Sequence, residues 1–557
     1  MTKEQLERFE EELVRLRKKW EPIKDPEVCY SFPIPATTMK AMFIEQVNRH
    51  PDKPYIYRHD TVQTYAQCNE AACRIANGML SLGLKKGDRI MTLVSNSREF
   101  IELAQACFKT GIIMVNSNPL ATSDEMINRI RDCTPSAVFV DSDGLRALLA
   151  GMAETDDKCG VKYLISCPAK EPLPKIEGVL DWSEIVSGDA GEPDIEILPE
   201  DIAVLQYTGG TTGVLKGCCQ TNHAFVAKAL AQQEYFKPIL TEEDKEHYMV
   251  MIGLGMSHAF GFSQAIVVNM SLGGAIYLAD SLDEILTAIE KYRPTVWPSV
   301  PIWMKLIASD PKYQGYDITS LKCITCGAAP LPIEVLDKVE EITGGVITEG
   351  YGMTETVNTI AINGFHHRKS GTVGVPNPNI EYLIVDAEDG VTPMPDGKDG
   401  EIICRGECVM HEYWQKPEET ANMVRDGWLY TGDIGHVDEE GYLVIRDRKK
   451  DLIITSGFNV FPTEIEEVVM RCPGVADCIA IGIPNSRRGE VPAVYVQAAP
   501  GATVDLKEVE QTCRDKLSRY KVPKAYFMID EIPKTKNRKP DRKKLKADYL
   551  LSLENTK

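Results

Sequence analysis

The sequence predicts an α/β protein: a large N-terminal domain of α/β sheets with a β-rich subdomain, followed by a small α+β C-terminal domain. Three observations carry this. Strands and helices alternate from Arg89 onward, short strands with close turns take over after about Ile384, and a third texture begins beyond Asp451. At 557 residues the chain exceeds one hydrophobic core, and about 150 residues per domain gives roughly three or four folding units.

Taken in order, residues 1–25 are highly charged with Leu and Phe at roughly helical spacing, and they lack the apolar stretch of a signal peptide. From Arg89 the strands "RIMTLV", "IIMVN" and "AVFVD" alternate with a helix starting near the capping-box sequence Asn96-x-x-Glu99 and one after Thr122-x-x-Glu125. The alternation returns at "GAIYLAD", "TVWPSV", "LKCITCG" and "GVITEGYG". Between these runs, Tyr248 to Ala279 holds no Asp, Glu, Lys or Arg and is long enough for a membrane span. Its Ser257, His258, Ser263, Gln264, Asn269 and glycines mark it instead as buried core with polar function. The C-terminal texture reads as a helix near Thr463-x-x-Glu466, strands "CIAIGIP" and "AVYVQ", a helix from Asp505 to about Leu517, and a basic tail. No internal repeat occurs.

The composition, 43% hydrophobic and 26% charged, is that of an ordinary globular protein. A formal charge of −20 opposes non-specific binding to nucleic acid or an anionic membrane, so a bound polyanion needs backbone amides, a few cations and a metal ion. Sixteen cysteines without a secretory signal point to the reducing cytoplasm. The pairs Cys323/Cys326 and Cys404/Cys408 lack a second pair at zinc-module spacing and read as small buried residues in strand-like segments.

The stretch "YTGGTTGVLKG", Tyr207 to Gly217, gathers glycines, threonines and one lysine after the apolar run Ile202 to Leu205, a pattern suited to an anion. It is not a Walker loop, because Lys216 precedes a glycine rather than Ser or Thr. Four further stretches are unusual for a core: "GYGMTET" (Gly350 to Thr356), "YTGD" (Tyr430 to Asp433, an acid ending an apolar strand), "DRKKDLIITSGFNVFPTEIEE" (Asp447 to Glu467) and "PKTKNRK" (Pro533 to Lys539). Singly, each has a plain reading as a helix-start acid, a turn, a hydrated linker and a solvated charge run.

In this order and spacing the five motifs resemble those of AMP-forming acyl-CoA synthetases of the adenylate-forming (ANL) superfamily, over roughly residues 35–545. The resemblance implies a division into 1–449, β-rich from about 380, and a mobile 450–557 with its hinge at Lys450. It implies that Thr208, Gly209, Gly210, Thr211, Thr212, Gly213 and Lys216 wrap the ATP phosphates. Adenine and ribose fall to Gly327, Ala328, Ala329, Pro330, Tyr351, Asp433 and Arg448, Thr354 touches phosphate, and Glu355 holds Mg²⁺. Gly457 and Phe458 face coenzyme A, and Lys539 is the catalytic cation. The acyl pocket falls to His258, Phe260, Trp297, Val300 and Gly352, with Trp303 nearby.

The implied reaction joins a small carboxylic acid to coenzyme A by way of an acyl-adenylate, with AMP and pyrophosphate released. Two points depart from or narrow the family pattern. The C-terminal motif usually ends Ser-Gly-Lys, whereas here it reads Lys536-Asn-Arg538-Lys539-Pro540, which leaves Lys536 as an alternative cation. Acetate-specific relatives carry tryptophan where this chain has Gly352, so an apolar aliphatic or cyclic acid of medium length is expected, within fatty acid metabolism. Rival readings are an enzyme that loads a carrier protein and a non-catalytic acyl-adenylate binder. Neither nucleic acid nor a transmembrane segment is expected, and oligomeric state stays open.

Overall fold

The computed structural model describes residues 1–155, 158–171, 173, 175–207, 215–327, 329, 331–357, 359–456, 458–485, 487–535 and 540–554. Among these residues the strands form four sheets. In the first, Val179–Asp181, Tyr163–Ser166, Ala137–Val140, Arg89–Leu93, Ile113–Asn116 and Ile202–Tyr207 run parallel, and Gly217–Thr221 folds back antiparallel to the last. The second has a parallel centre of Val346–Tyr351, Cys323–Cys326, Val296–Ser299, Met249–Ile252, Ala275–Leu278 and Pro54–Arg58. The inner strands Met249–Ile252 and Ala275–Leu278 are apolar and buried throughout, as strands covered on both faces must be. The β-rich part pairs Ile380–Val385, Gly400–Gly406, Trp428–Val437 and Leu443–Arg448 antiparallel. Beyond it, Val475–Asn485, Gly489–Ala498 and Ala525–Met528 form a sheet covered by the helices Pro462–Val469 and Leu506–Lys516.

The charged N-terminal segment is a helix, Lys3–Trp20, capped by Thr2 and Gln5 and buried through Phe9, Leu13, Leu16 and Trp20. Trp20 meets Tyr382 at 5.1 Å between ring centroids, and its indole N–H donates to the Gly441 carbonyl at 3.1 Å. This helix therefore seats on the β-rich unit.

Some local expectations shift. The helix placed at Asn96 spans Arg98–Thr110, and its cap is Ser97, whose hydroxyl accepts from the Phe100 N–H at 3.1 Å. The helix expected near Thr463 is Pro462–Val469, with proline in its first turn. Asp433 lies inside the strand Trp428–Val437, not at its end. The cysteines Cys323 and Cys326 share one strand but sit in the cores on its two opposite faces, an arrangement that suits packing and not chelation.

Glu102 shows what burial costs in this fold. Loss of water pushes its carboxyl from an ordinary 4.5 up to about 7, only partly offset by the Gln63 amide donating at 2.6 Å. Because the folded value is raised, the folded chain keeps a proton that the unfolded chain releases. Stability from this group is complete below about pH 4.5 and is lost as pH rises through 7, by roughly 3 kcal/mol at most. Glu102→Gln keeps the Gln63 contact without the charge. It should leave the melting temperature at pH 5 nearly unchanged and raise it at pH 8; an equal shift at both pH values would contradict the proton linkage.

Candidate active site

Parallel strands leave ligand room beyond their carboxyl ends. Here the ends of Met249–Ile252, Val296–Ser299, Cys323–Cys326 and Val346–Tyr351 deliver Gly253, Val300, Gly327 and Gly352 to one rim of the second sheet. The first sheet contributes the hairpin stem Tyr207 and Gly217, directly paired across the strands, with Lys216 beside it. A Cβ on Gly217 would lie 3.1 Å from the Tyr207 ring, so the glycine keeps that stem closed.

Lys216 links the first motif to the second. Its ammonium lies 5.2 Å from the centroid of the Tyr413 ring, and the Tyr413 hydroxyl donates to Glu355 Oε1 at 2.6 Å. Glu355 sits in the 3₁₀ turn Thr354–Thr356, tied down by Met410 N–H donating to its carbonyl at 2.7 Å and by Gln220 Nε2 donating to the Thr354 carbonyl at 2.9 Å. Burial raises the Glu355 carboxyl above the ordinary range, and the Tyr413 hydrogen bond pulls it back. Arg448 and Asp433 both act on it electrostatically, with opposite sign.

Asp433 is the second acidic centre. Its Oδ2 accepts from the Tyr351 hydroxyl at 2.7 Å, and Arg448 Nε lies 3.3 Å from Oδ1. Strand pairing sets Arg448 directly opposite Asp433, so the contact follows from register. Burial, then the Asp433 charge, pushes the Tyr351 phenol well above its ordinary value, so it serves as a donor. Next along, Glu401 accepts from Gly432 N–H at 3.1 Å and from Lys449 Nζ at 2.7 Å. Lys449 and Lys450 occupy the 3₁₀ turn Lys449–Asp451 that leads into the C-terminal sheet.

The segment carrying His258 is held from the other sheet. Asn96 Nδ2 donates to the Leu254 carbonyl and its Oδ1 accepts from Met256 N–H, both at 2.8 Å, while Gln206 Nε2 donates to the Ser257 carbonyl at 2.8 Å. Exposed His258 caps the short helix Ala259–Phe262, accepting from Phe260 N–H at 3.3 Å. The Phe260 ring lies 3.8 Å from where a Gly327 Cβ would stand. Trp297 is fully buried on the helix-covered face of the second sheet, stacked on Trp303 at 5.8 Å. Half-buried Trp303 abuts Gly253, whose Cβ would meet it at 3.0 Å, and so stands nearer the rim than Trp297 does. Gly352 is exposed.

Thr208, Gly209, Gly210, Thr211, Thr212, Gly213, Ala328, Pro330, Gly457, Lys536 and Lys539 lie outside the described residues. Phe458 opens the strand Phe458–Val460. The structure thus draws Lys216, Tyr351, Thr354, Glu355, Asp433 and Arg448 into one network. Tyr413 and Gln220 belong to it too, and Asn96 and Gln206 hold the His258 segment; sequence reasoning missed all four. An Asn beside a strand end and a Gln just before a glycine loop were the available signals, and both types are common in turns.

The chain matches the sequence profile described as "AMP-binding enzyme" over residues 43–414 and that described as "AMP-binding enzyme C-terminal domain" over residues 464–539. It belongs to the AMP-binding enzyme family. It is 32% identical over 548 residues to a long-chain-fatty-acid–CoA ligase of Bacillus subtilis, covering 93% of this chain and 96% of that protein. It is 30% identical over 497 residues to a feruloyl-CoA synthase of Amycolatopsis, covering 88% and 95%. Among solved structures, ATP-bound MatB from Rhodopseudomonas palustris aligns with a TM-score of 0.82 at 28% identity, covering 92% of this chain and 99% of that one. The chain is an AMP-forming acyl-CoA synthetase, using ATP to join an acid to coenzyme A through an acyl-adenylate. Among the described residues no helix is long and apolar enough to cross a membrane.

Tyr413→Phe removes the hydroxyl that donates to Glu355 Oε1. The Glu355 carboxyl should then titrate higher, moving the acidic limb of the pyrophosphate-release profile to higher pH. Activity at neutral pH should fall by about tenfold, the worth of one hydrogen bond to a charged group. An unmoved acidic limb would show that Tyr413 does not control Glu355.

Proposed function

We propose that the site runs in two stages on one set of strands. The observation that carries this reading is the convergence of Glu355, Tyr351, Asp433 and Arg448 in one network of contacts. Tyr351, with Gly327 to Pro330, receives adenine, and Asp433 takes the ribose hydroxyls with Arg448 beside it. The loop from Thr208 to Lys216 wraps the β- and γ-phosphates, and Thr354 donates to phosphate. Glu355 fits Mg²⁺: it is a buried oxygen donor whose raised carboxyl a cation would return to the ionised form. When bound there, Mg²⁺ would supply charge neutralisation at the phosphates.

In the first stage the substrate carboxylate, already ionised at neutral pH, attacks the α-phosphorus and pyrophosphate leaves. Lys539 neutralises the charge shared by carboxylate and phosphate, and His258 sits at the carboxylate end of the acyl pocket. In the second stage residues 450–557 rotate about Lys450, and the Gly457 and Phe458 segment meets the pantetheine arm. The thiolate then attacks the acyl carbonyl and AMP departs. The substrate is an aliphatic or cyclic acid of medium length, metabolised as fatty acids are. Exposed Gly352 sets no wall against such a chain, and Trp303 at Gly253 limits its depth. We place the enzyme in the cytoplasm, where its free cysteines stay reduced.

A panel of carboxylates graded in length and ring content, scored by pyrophosphate release and thioester yield, tests the reading. Pyrophosphate release without any acyl-CoA would overturn it in favour of a carrier-protein acceptor.

Two variants separate the stages. Lys539→Ala should cut adenylation by roughly 10²-fold or more while sparing thioester formation from supplied acyl-adenylate, and Lys536→Ala should do much less. The reverse ranking would assign the catalytic charge to Lys536. Lys450→Pro should leave adenylation largely intact and suppress thioester formation, because proline fixes φ at the hinge. Equal loss of both half-reactions in single-turnover assays would refute the hinge.

A further inference from the structure

Lys228, on the helix Asn222–Tyr235, is a buried cation that the mechanism above leaves unused. It is 0% exposed, and its ammonium donates to Gln232 Oε1 at 2.9 Å and to Thr359 Oγ1 at 2.7 Å. Both partners are neutral, and among the described residues no carboxylate lies within ion-pair distance. Lys109, equally enclosed, shows the usual solution, an ion pair with Glu192 at 2.5 Å. Enclosing an ammonium without a counter-charge costs several kcal/mol, and burial here lowers Lys228 to about 8.

Its helix packs against elements that adjoin the site residues. Thr359 follows the Thr354–Thr356 turn that holds Glu355. One turn before Lys228 on the same helix face, Phe225 packs on Phe262, the last residue of the His258-capped helix, at 5.7 Å between ring centroids. The helix also packs on the π-helical turn Ser263–Val268, where Ser263 Oγ and Gln264 Oε1 are buried without hydrogen-bond partners. Such turns recur at functional sites, and unsatisfied buried polar atoms call for a partner.

We propose that Lys228 is a specificity-determining cation of the acyl pocket, which receives an anionic or hydrogen-bond-accepting group on the acid remote from the carboxylate that is activated. Ser263 and Gln264 line the approach to it. The inference rests on the acyl-CoA synthetase reading and narrows its substrate class: the acid is polar at its far end, as in a dicarboxylate or a phenolic acid.

Two substrate pairs test it on the full-length enzyme: hexanoate against adipate, and cinnamate against 4-hydroxycinnamate. The expected result is a preference of at least about tenfold in kcat/KM for the polar-tipped member of one pair, the scale of one charged hydrogen bond. Preference for adipate assigns a carboxylate, and preference for the phenol assigns a hydroxyl. Lys228→Met should erase that preference and improve the plain member, with the KM for ATP unchanged. Preference for the plain member in both pairs would overturn the proposal while leaving the ligase reading intact. So would a Lys228→Met enzyme that loses both members of each pair equally. Should that variant fail to fold, the wild-type preference alone decides. Failure of every acid to release pyrophosphate would overturn the ligase reading and this inference together.

Discussion

Two sheets with parallel centres bring their strand ends together at the site, and the arrangement there depends on how those ends are tied to one another. The tie is a chain of buried amides. Asn116 Nδ2 donates to Gln206 Oε1 at 3.0 Å within the first sheet, and Gln206 then reaches the Ser257 carbonyl on the second. Asn96 adds a two-way clamp on Leu254 and Met256. An unmet buried amide costs about 1–3 kcal/mol, so each link holds its neighbour in place more firmly than apolar contact would. His258 and Phe260 inherit their positions from this bridge, and Gly327 and Gly352 from the strand register beside it.

A second consequence is that the acidic groups are dry. Glu355 and Asp433 are both buried, and each is met first by a tyrosine hydroxyl, Tyr413 and Tyr351 respectively. A phenol donates without bringing a full charge, so the carboxylates remain available to cations or to sugar hydroxyls. Cations reach these acids from the last strand of the β-rich part and the turn after it: Arg448 lies beside Asp433, and Lys449 pairs with Glu401. Net charge is −20, yet locally each acid has a donor within reach.

The sequence was most legible where one element carries the signal. Strand–helix alternation from Arg89, the charged N-terminal helix and the glycine-rich stretch all follow from local periodicity and composition. Legibility failed where partners are distant in the chain. Tyr413 meets Glu355 across 58 positions, and nothing near Tyr413 announces it. Competing local caps explain the Asn96 error: Ser97 can cap the helix equally well, which frees Asn96 for the inter-sheet clamp. Asp433 resembled a strand end because glycine precedes it, whereas Gly432 takes a positive φ within a continuing strand. Trp297 and Trp303 were indistinguishable as aromatics flanking one segment, and only their depth separates them.

The paired state of Asp433 bears on how a nucleotide would enter. Both carboxylate oxygens already have donors, Tyr351 on one and Arg448 on the other. On the proposed reading, ribose hydroxyls would exchange one set of hydrogen bonds for another, and the net gain from such an exchange is only about 1 kcal/mol per bond. Affinity for ATP must then come mainly from elsewhere, from adenine stacking and from the phosphate loop beside Lys216. What the Asp433 exchange supplies is selectivity and release. A nucleotide lacking those hydroxyls would leave Tyr351 and Arg448 where they are and gain nothing at this end of the site. On that reading the same two donors would return to the carboxylate once AMP departs, and the acid would not be left facing solvent unpaired.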